Sequence, residues 1–358
     1  MNDKPKIMIT FNEGGENGGP YNSHKRIMES SLKEKYEFIP LIIPKGHKGV
    51  FNLKLLIKLT KDILMVKPNI VHFAGLQLEG FYVILACKLA GVKNTVLAIH
   101  GSSLEAIDFP SWKKKIVNIL EIITLKLCRI CYGVSNYVCN WKRVKKYANW
   151  CYGHIYNIPN VRNNDMFFDK SFREEMGVSQ NDILIVSTGR ITREKGFEVL
   201  LTVIKTMNIP ENVKFVIAGD GDYLDTFKKE IKENKLAESV FLLGYRSDID
   251  RILSESDIFV LCTFHETLCN SIIEACYHSL PVVATNTGGI TEIVINNYNG
   301  FLLSKNDVDS VVSKLEQLIK DKELRTIMGK RGKKRVDTIF NIDVITKKID
   351  KMYRSLLK

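Results

Sequence analysis

The chain has no stretch approaching about 18 uncharged apolar residues, so no membrane-spanning helix is expected. The nearest candidate, Ile116 to Val134, is interrupted by Glu121, Lys126 and Arg129. Nor does the start read as a signal peptide: Met1 to Lys6 runs polar straight into a short strand, so secretion is not expected. Eight cysteines in such a chain read as reduced thiols of the cytoplasm. Cys128 and Cys131 form a lone Cys-x-x-Cys in a helical pattern, with no second pair at zinc spacing, and read as core residues. Cys262, Cys269 and Cys276 recur every seven residues, but across strand, loop and helix, and indicate no site. His24, His47, His72, His154, His265 and His278 show no ligand spacing, so no metal is expected. Internal repeats, low-complexity segments and nucleic-acid-binding signatures are missing too. A pI near 9.1 therefore does not indicate a nucleic-acid partner, whose binding would weaken steeply with salt.

What is present is enough chain for two ordinary domains: 358 residues, 45% hydrophobic. The net charge of +12 is unevenly placed. Residues 1–165 hold 24 Lys and Arg against 12 Asp and Glu, whereas residues 166–358 hold 28 of each. An anionic surface or substrate met by the N-terminal half follows from that asymmetry. Lys113-Lys114-Lys115 opens a helix with a wide apolar face (Ile116, Ile119, Leu120, Ile123, Leu127, Ile130). Trp141, Tyr147 and Trp150 interleave with Lys142, Arg143, Lys145 and Lys146. Both groups suit either a solvated surface or the headgroup layer of an anionic membrane. The run from Lys330 to Arg335 reads as surface.

Short apolar runs alternate with amphipathic stretches throughout. Strands are expected at Lys6–Phe11, Phe38–Ile43, Ile70–Phe73, Thr95–His100 and Tyr132–Ser135. After a break they resume at Ile183–Thr188, Lys214–Ala218, Val240–Leu243, Ile258–Leu261, Pro281–Ala284 and Phe301–Leu303. The pattern predicts an α/β protein of two doubly wound, Rossmann-like domains, with ligands at the carboxyl ends of the strands. The joint falls near Ile158-Pro159-Asn160 and the polar segment Arg162–Asp165. This divides the chain into 1–163 and 164–340, with a last helix over 341–358.

The stretch from His265 to Leu303 carries the most chemistry. Glu266 lies on the loop after one strand, and Glu274 lies about one turn into the following helix. Between them the backbone N–H groups of Leu268, Cys269, Asn270 and Ser271 open that helix, where unpaired N–H groups and the dipole attract phosphate. Carboxylates beside such a site can grip sugar hydroxyls. Diphosphate plus polyol describes a nucleotide sugar. Gly189-Arg190 and Lys195-Gly196 flank a strand-end loop whose two cations suit a diphosphate; taken alone the loop reads equally as solvated, and the two glutamates of the same half favour the site. Gly14-Gly15-Glu16-Asn17-Gly18-Gly19-Pro20 follows the first strand and permits close backbone approach, or is merely a flexible turn. His100 ends the fourth strand and is either a substrate contact in an interdomain cleft or a buried structural residue. Asp220-Gly221-Asp222 reads as a turn with an N-cap rather than a metal motif.

As a set these residues resemble the retaining glycosyltransferases of family 4, which have the GT-B architecture. The matches are Gly189-Arg190, Lys195-Gly196, Ala218-Gly219-Asp220-Gly221, Glu266 and Glu274, Pro281 to Ala284, Gly288-Gly289-Ile290-Thr291-Glu292 and Asn299-Gly300. In the first half, Gly18-Gly19, His100-Gly101 and Ile158-Pro159-Asn160 match. The resemblance implies that Arg190 and Lys195 hold the donor diphosphate, that Glu266 binds the transferred sugar and that Glu274 binds the ribose. Amides of Gly19 and of Leu268–Ser271 would add phosphate contacts, and His100 would sit beside the sugar. The tail would cross back onto the N-terminal, acceptor-binding domain. Where the family usually has a glycine, an aromatic and a glycine or proline after Glu266, this chain has Thr267, Leu268 and Cys269, with the Asn270 amide replacing some contacts.

The expected activity is metal-independent hexosyl transfer, without a cofactor, from a nucleotide-diphosphate sugar. The acceptor would be a lipid-linked saccharide of bacterial surface polysaccharide assembly (capsule, O-antigen or exopolysaccharide), met on the inner face of the cell membrane. A nucleotide-sugar epimerase of the same shape is the alternative, which the two glutamates and the charged first half disfavour.

Overall fold

A computed structural model of the chain describes residues 4–15, 18–45, 52–105, 110–159 and 170–358. Arg162–Asp165 and Asn160 of the expected joint, and Glu16 and Asn17 of the glycine string, lie outside the described residues. The chain forms two compact units, Met1–Ile158 with Phe340–Lys358, and Pro159–Ile339.

The first unit contains β1 (Lys6–Asn12), β2 (Glu37–Ile43), β3 (Ile70–Ala74), β4 (Thr95–Ile99), β5 (Ile130–Gly133) and β6 (Cys151–His154). They form a parallel sheet in the order β2-β1-β3-β4-β5-β6. The second contains β7 (Ile183–Thr188), β8 (Val213–Ala218), β9 (Val240–Gly244), β10 (Ile258–Leu261), β11 (Val282–Thr285) and β12 (Gly300–Leu303). Its parallel order is β12-β11-β10-β7-β8-β9. Strand order therefore reverses between β7 and β10, and ligands of such sheets bind outside the carboxyl ends of the strands at that switch.

The central strands are apolar because helices cover both faces of a parallel sheet, whereas the edge strands β2 and β6 are partly exposed. All six residues of β7 are buried. The helices are amphipathic: Leu53–Val66 buries Leu55, Leu59 and Ile63, one residue per turn, and Asn52 accepts from the Leu55 N–H at its start. The tail helix Ile342–Leu357 places Ile345, Ile349, Met352, Tyr353 and Leu356 in one core with Ile7, Ile9, Ile70 and Tyr132 of the first unit. In the second unit, buried Arg173 donates to the carbonyls of Ser179, Asp182 and Glu255 and pairs with Asp257 at 2.8 Å, which anchors the helix Phe172–Met176.

Several expectations need correction. The fifth strand lies two residues earlier than expected, because the Ser135 hydroxyl accepts from the Val138 N–H and turns the chain into the helix Asn136–Cys139. Strand β6 was not anticipated. The helix Ser111–Leu127 does not bury the isoleucine face: Leu120, Glu121, Thr124 and Leu125 are inside, and Ile119 is 58% exposed. The Glu121 carboxylate sets that rotation by pairing with Arg143 at 2.7 Å and accepting from the Ser102 hydroxyl. Trp141 is buried with Arg143 against its ring, rather than standing among surface cations. In the basic run near the end, Arg335 reaches in to donate to the carbonyls of Glu292 and Ile293.

Candidate active site

In the second unit three loops meet at the carboxyl ends of β7, β10 and β11. The chain leaves β7 through Gly189 and Arg190 and enters the helix Phe197–Thr206 through Gly196, which has left-handed backbone (φ +72°). A Cβ on Gly196 would lie 1.9 Å from the Cys262 carbonyl oxygen, so only glycine lets this loop touch the end of β10. The contact is sealed by hydrogen bonds from the Phe264 N–H (3.0 Å) and the Thr263 hydroxyl (3.3 Å) to the Glu194 carbonyl. On the other side, Gly288 (φ +53°) sits where a Cβ would fall 1.8 Å from the Glu266 carbonyl oxygen. The Gly289 N–H donates to that oxygen at 3.0 Å, and the Thr287 hydroxyl donates to the Phe264 carbonyl at 3.3 Å.

These contacts bring together two residues 71 apart in the chain: Lys195 Nζ lies 2.6 Å from Glu266 Oε1. The side chains are 20% and 11% exposed, so the pair opens to solvent at one edge only. Arg190 stands exposed on the same loop as Lys195, and its guanidinium makes no ion pair or hydrogen bond among the described residues. The cation nearby with a partner is Arg193, 3.6 Å from Glu198. So the structure joins Lys195 to Glu266 and leaves Arg190 a solvent-facing cation earlier on the loop of Lys195.

The helix after β10 runs Asn270–Tyr277, with Cys269 at its N-cap and no side chain capping it. Leu268 and Cys269 are buried, Asn270, Ser271 and Glu274 half-buried. The Asn270 Oδ1 is buried without a hydrogen-bond partner, an acceptor placed for a donor that the chain does not supply. Burial first, and the Glu266 charge second, push the Cys269 thiol well above its ordinary pKa, so it stays protonated and is no nucleophile.

In the first unit, Gly18 precedes the helix Gly19–Glu29, and a Cβ on Gly19 would meet nothing within 4 Å. His100 follows β4 and joins a group that sequence reasoning missed. The His24 ring lies 6.3 Å from His100 and 4.8 Å from His72. His72 bonds the hydroxyls of Tyr353 (2.6 Å) and Tyr132 (3.1 Å), and His24 Nδ1 bonds the Thr10 carbonyl at 2.9 Å. Burial lowers the His24 pKa to about 4 and, helped by the His24 charge, that of His100 to about 3. His100 is therefore a neutral hydrogen-bonding group and not a proton carrier near pH 7. In the sequence these histidines lie in a helix (His24), inside β3 (His72) and just after β4 (His100), a spread that carries no ligand period.

Asp220 does not cap a helix. The helix Leu224–Glu233 begins after Tyr223, and Asp220 accepts from the neighbouring Gly221 N–H at 2.8 Å, closing a turn.

Residues 168–335 match the family described as glycosyl transferases group 1. The chain is 30% identical over 332 residues to the UDP-Gal:alpha-D-GlcNAc-diphosphoundecaprenol alpha-1,3-galactosyltransferase of Escherichia coli, covering 88% of this chain and 81% of that protein. It is 32% identical over 190 residues to the capsular polysaccharide biosynthesis glycosyltransferase CapM of Staphylococcus aureus, 50% of this chain and 48% of that one. The crystal structure of Anabaena HepE in complex with UDP and glucose superposes with a TM-score of 0.77 at 17% identity, over 98% of this chain and 100% of that one. The strand order, the helical return to the first unit and this likeness over both units are those of the GT-B fold. With a relative 30% identical over 88% of this chain, and a family match that spans the loops after β7, β10 and β11, the chain belongs to the group 1 glycosyl transferases, family 4 of the glycosyltransferases.

Proposed function

We propose that the enzyme transfers a hexose, with retention, from a uridine-diphosphate sugar to a lipid-linked saccharide acceptor in bacterial surface polysaccharide assembly. The single observation that carries the reading is the Lys195–Glu266 pair at the β7/β10 switch, on a loop that also carries Arg190. The donor's diphosphate takes Arg190 and Lys195, together with amides of Gly19 and of Leu268–Ser271. The Glu266 carboxylate and the orphaned Asn270 Oδ1 accept from sugar hydroxyls, and Glu274 accepts from the ribose. His100, held neutral, hydrogen-bonds the sugar. Residues 164–340 serve the donor, and residues 1–163 with 341–358 serve the acceptor.

Transfer breaks the bond from the anomeric carbon to phosphate, so negative charge grows on the leaving diphosphate. Fixed cations and N–H dipoles lower the barrier where that charge appears. Cys269 is held protonated and Glu266 is engaged by Lys195, so neither is assigned as a nucleophile. The acceptor hydroxyl then attacks from the face that the diphosphate leaves, and the diphosphate takes its proton. No metal is needed, because the two cations supply the charge. The relatives support the substrates: the Escherichia coli enzyme is named for UDP-Gal and a diphosphoundecaprenol-linked acceptor, and HepE binds UDP and glucose.

No helix among the described residues is long and apolar enough to cross a membrane. We place the enzyme in the cytoplasm, resting on the anionic inner face of the membrane through the first unit. Exposed Trp112 and Ile119 stand beside Lys113 and Lys115 on one helix, and a cavity of about 640 Å³ is lined by Lys88, Lys93, Lys126 and Arg129.

The test is UDP release from UDP-galactose and UDP-glucose, with and without a diphosphoundecaprenol-linked sugar, in the presence of chelator, followed by NMR of the product anomer. Acceptor-dependent release with a retained anomer is expected. Lys195→Ala lowers kcat by about 10²–10³-fold, as does loss of one preorganised donor elsewhere. A variant within about twofold of wild type removes Lys195 from this role, and release of a free epimer without acceptor makes the protein an epimerase.

A further inference from the structure

Six of the eight cysteines are buried, and the two that are not, Cys139 and Cys151, are neighbours. Cys131 on β5 stands directly opposite Cys151 on β6, and Gly133 opposite His154. The helical turn Asn136–Cys139 folds back over the end of β5, where a Cβ on Gly133 would lie 2.8 Å from the Cys139 sulfur. The Cys131 and Cys139 thiols both hydrogen-bond Cys151. None of the three is expected to be special from its spacing. Strand pairing and one turn assemble them.

We propose that Cys151 and Cys139 form a peroxide-reactive thiol pair, in which Cys151 is oxidised first and Cys139 closes a disulfide with it. Geometry selects the roles. Cys151 is partly open to solvent, and two thiols donate to its sulfur, which is the arrangement that stabilises a thiolate. The Gly153 N–H adds a third donor, and together these hold the Cys151 pKa below the ordinary thiol range against the opposing effect of burial. Elsewhere burial pushes the thiols of Cys87, Cys128, Cys262, Cys269 and Cys276 up, so they remain unreactive. Cys131 is also pushed up and is 2% exposed, and its backbone is locked in the ladder. Cys139 sits in a four-residue turn and is half-open to solvent, so it is freer to move onto Cys151.

The chemistry balances with a hydroperoxide as oxidant. The Cys151 thiolate attacks the outer peroxide oxygen: an S–O bond forms, the O–O bond breaks, and the departing alkoxide or hydroxide takes a proton to leave as alcohol or water. The sulfur is oxidised to sulfenic acid as the peroxide is reduced. Cys139 sulfur then attacks Cys151 sulfur: the S–S bond forms, the S–O bond breaks, and the hydroxide leaves as water with the Cys139 proton. Neither step draws on the transferase reaction.

The test treats the full-length protein with hydrogen peroxide and maps cysteines by mass spectrometry without reduction. Wild type is expected to lose two of its eight thiols to a Cys139–Cys151 disulfide that dithiothreitol reverses. In Cys139→Ser, Cys151 should accumulate as a dimedone-trapped sulfenic acid, whereas Cys131→Ser should still form the disulfide. Competitive alkylation of untreated wild type, which needs no variant to fold, should label Cys151 at least tenfold faster than any buried cysteine. Equal labelling of all eight, no disulfide, or a disulfide from Cys131 to Cys151 overturns the proposal.

Discussion

The residues that unite the second unit's loops are glycines and hydroxyls rather than the charged groups they position. Gly196→Ala would place a methyl 1.9 Å from the Cys262 carbonyl oxygen, at a backbone angle that L-residues rarely adopt. The expected cost is roughly 1–3 kcal/mol, read as a fall in the melting midpoint, with Gly101→Ala, whose Cβ meets nothing, as the unaffected control. Glu266 and Lys195 were legible from the sequence because the loops that hold them carry these same glycines at recognisable offsets. Their 2.6 Å contact was not legible, because it depends on β7 and β10 being neighbours.

The buried histidines were hidden for the opposite reason: His24 lies in a polar stretch of the helix Gly19–Glu29, His72 inside β3 and His100 just after β4, and only the packing of that helix on the sheet gathers them. Their folded pKa values lie below the ordinary 6.5, with His24 at about 4, His100 at about 3 and His72 well down. The unfolded chain therefore binds protons that the folded chain refuses. Stability is full above about pH 6.5 and falls as pH drops toward the folded values, by up to about 1.4 kcal/mol per pH unit for each histidine. Urea titrations from pH 7 to pH 5 should show the decline, and His24→Gln should make it shallower by one proton. A flat profile in wild type would mean that the three rings accept protons in place.

Among elements, eleven of the twelve strands among the described residues were readable from apolar runs bounded by polar turns. The twelfth, Cys151–His154, is four residues with a glycine inside and no alternation, and it exists because the edge of β5 is there to pair with. The helix Ser111–Leu127 was readable as a helix, but its buried face was not, because a carboxylate partnered by Arg143 outweighs isoleucines in setting its rotation. The tail helix was readable from the roughly helical spacing of Phe340, Ile342, Ile345, Ile349, Met352 and Leu356, although Ile342 at its start is exposed and Tyr353 joins the buried face. Ile349→Ala there should cost about 2–5 kcal/mol. Tyr353→Phe, which leaves His72 Nδ1 without its 2.6 Å partner, should cost about 1–3 kcal/mol. Hydrogen exchange gives the sharper check: protection should fall in β1 and β3, which share a core with this helix, and stay unchanged in β7 and β8, which do not.

At the scale of the molecule, the excess charge lies wholly in residues 1–165, whose 24 cations face 12 acids. The rotation of Ser111–Leu127 that buries Glu121 also turns Trp112 and Ile119 outward, at 63% and 58% exposure, beside Lys113 and Lys115. An apolar body flanked by ammonium groups matches the boundary between acyl chains and anionic headgroups. Near such a surface each lysine contributes about 1 kcal/mol, so replacing Lys113, Lys114 and Lys115 with glutamine should weaken binding to phosphatidylglycerol-rich vesicles by about 10²-fold. Trp112→Ser should weaken binding to the same vesicles without changing its salt dependence, because the indole acts through burial and not charge. Wild type should float with the anionic vesicles and not with phosphatidylcholine, and should be released as ionic strength rises and the Debye length shrinks. Floating equally with neutral vesicles would assign the attachment to the apolar residues alone. Failure to float with either would leave the charge excess to the anionic substrates.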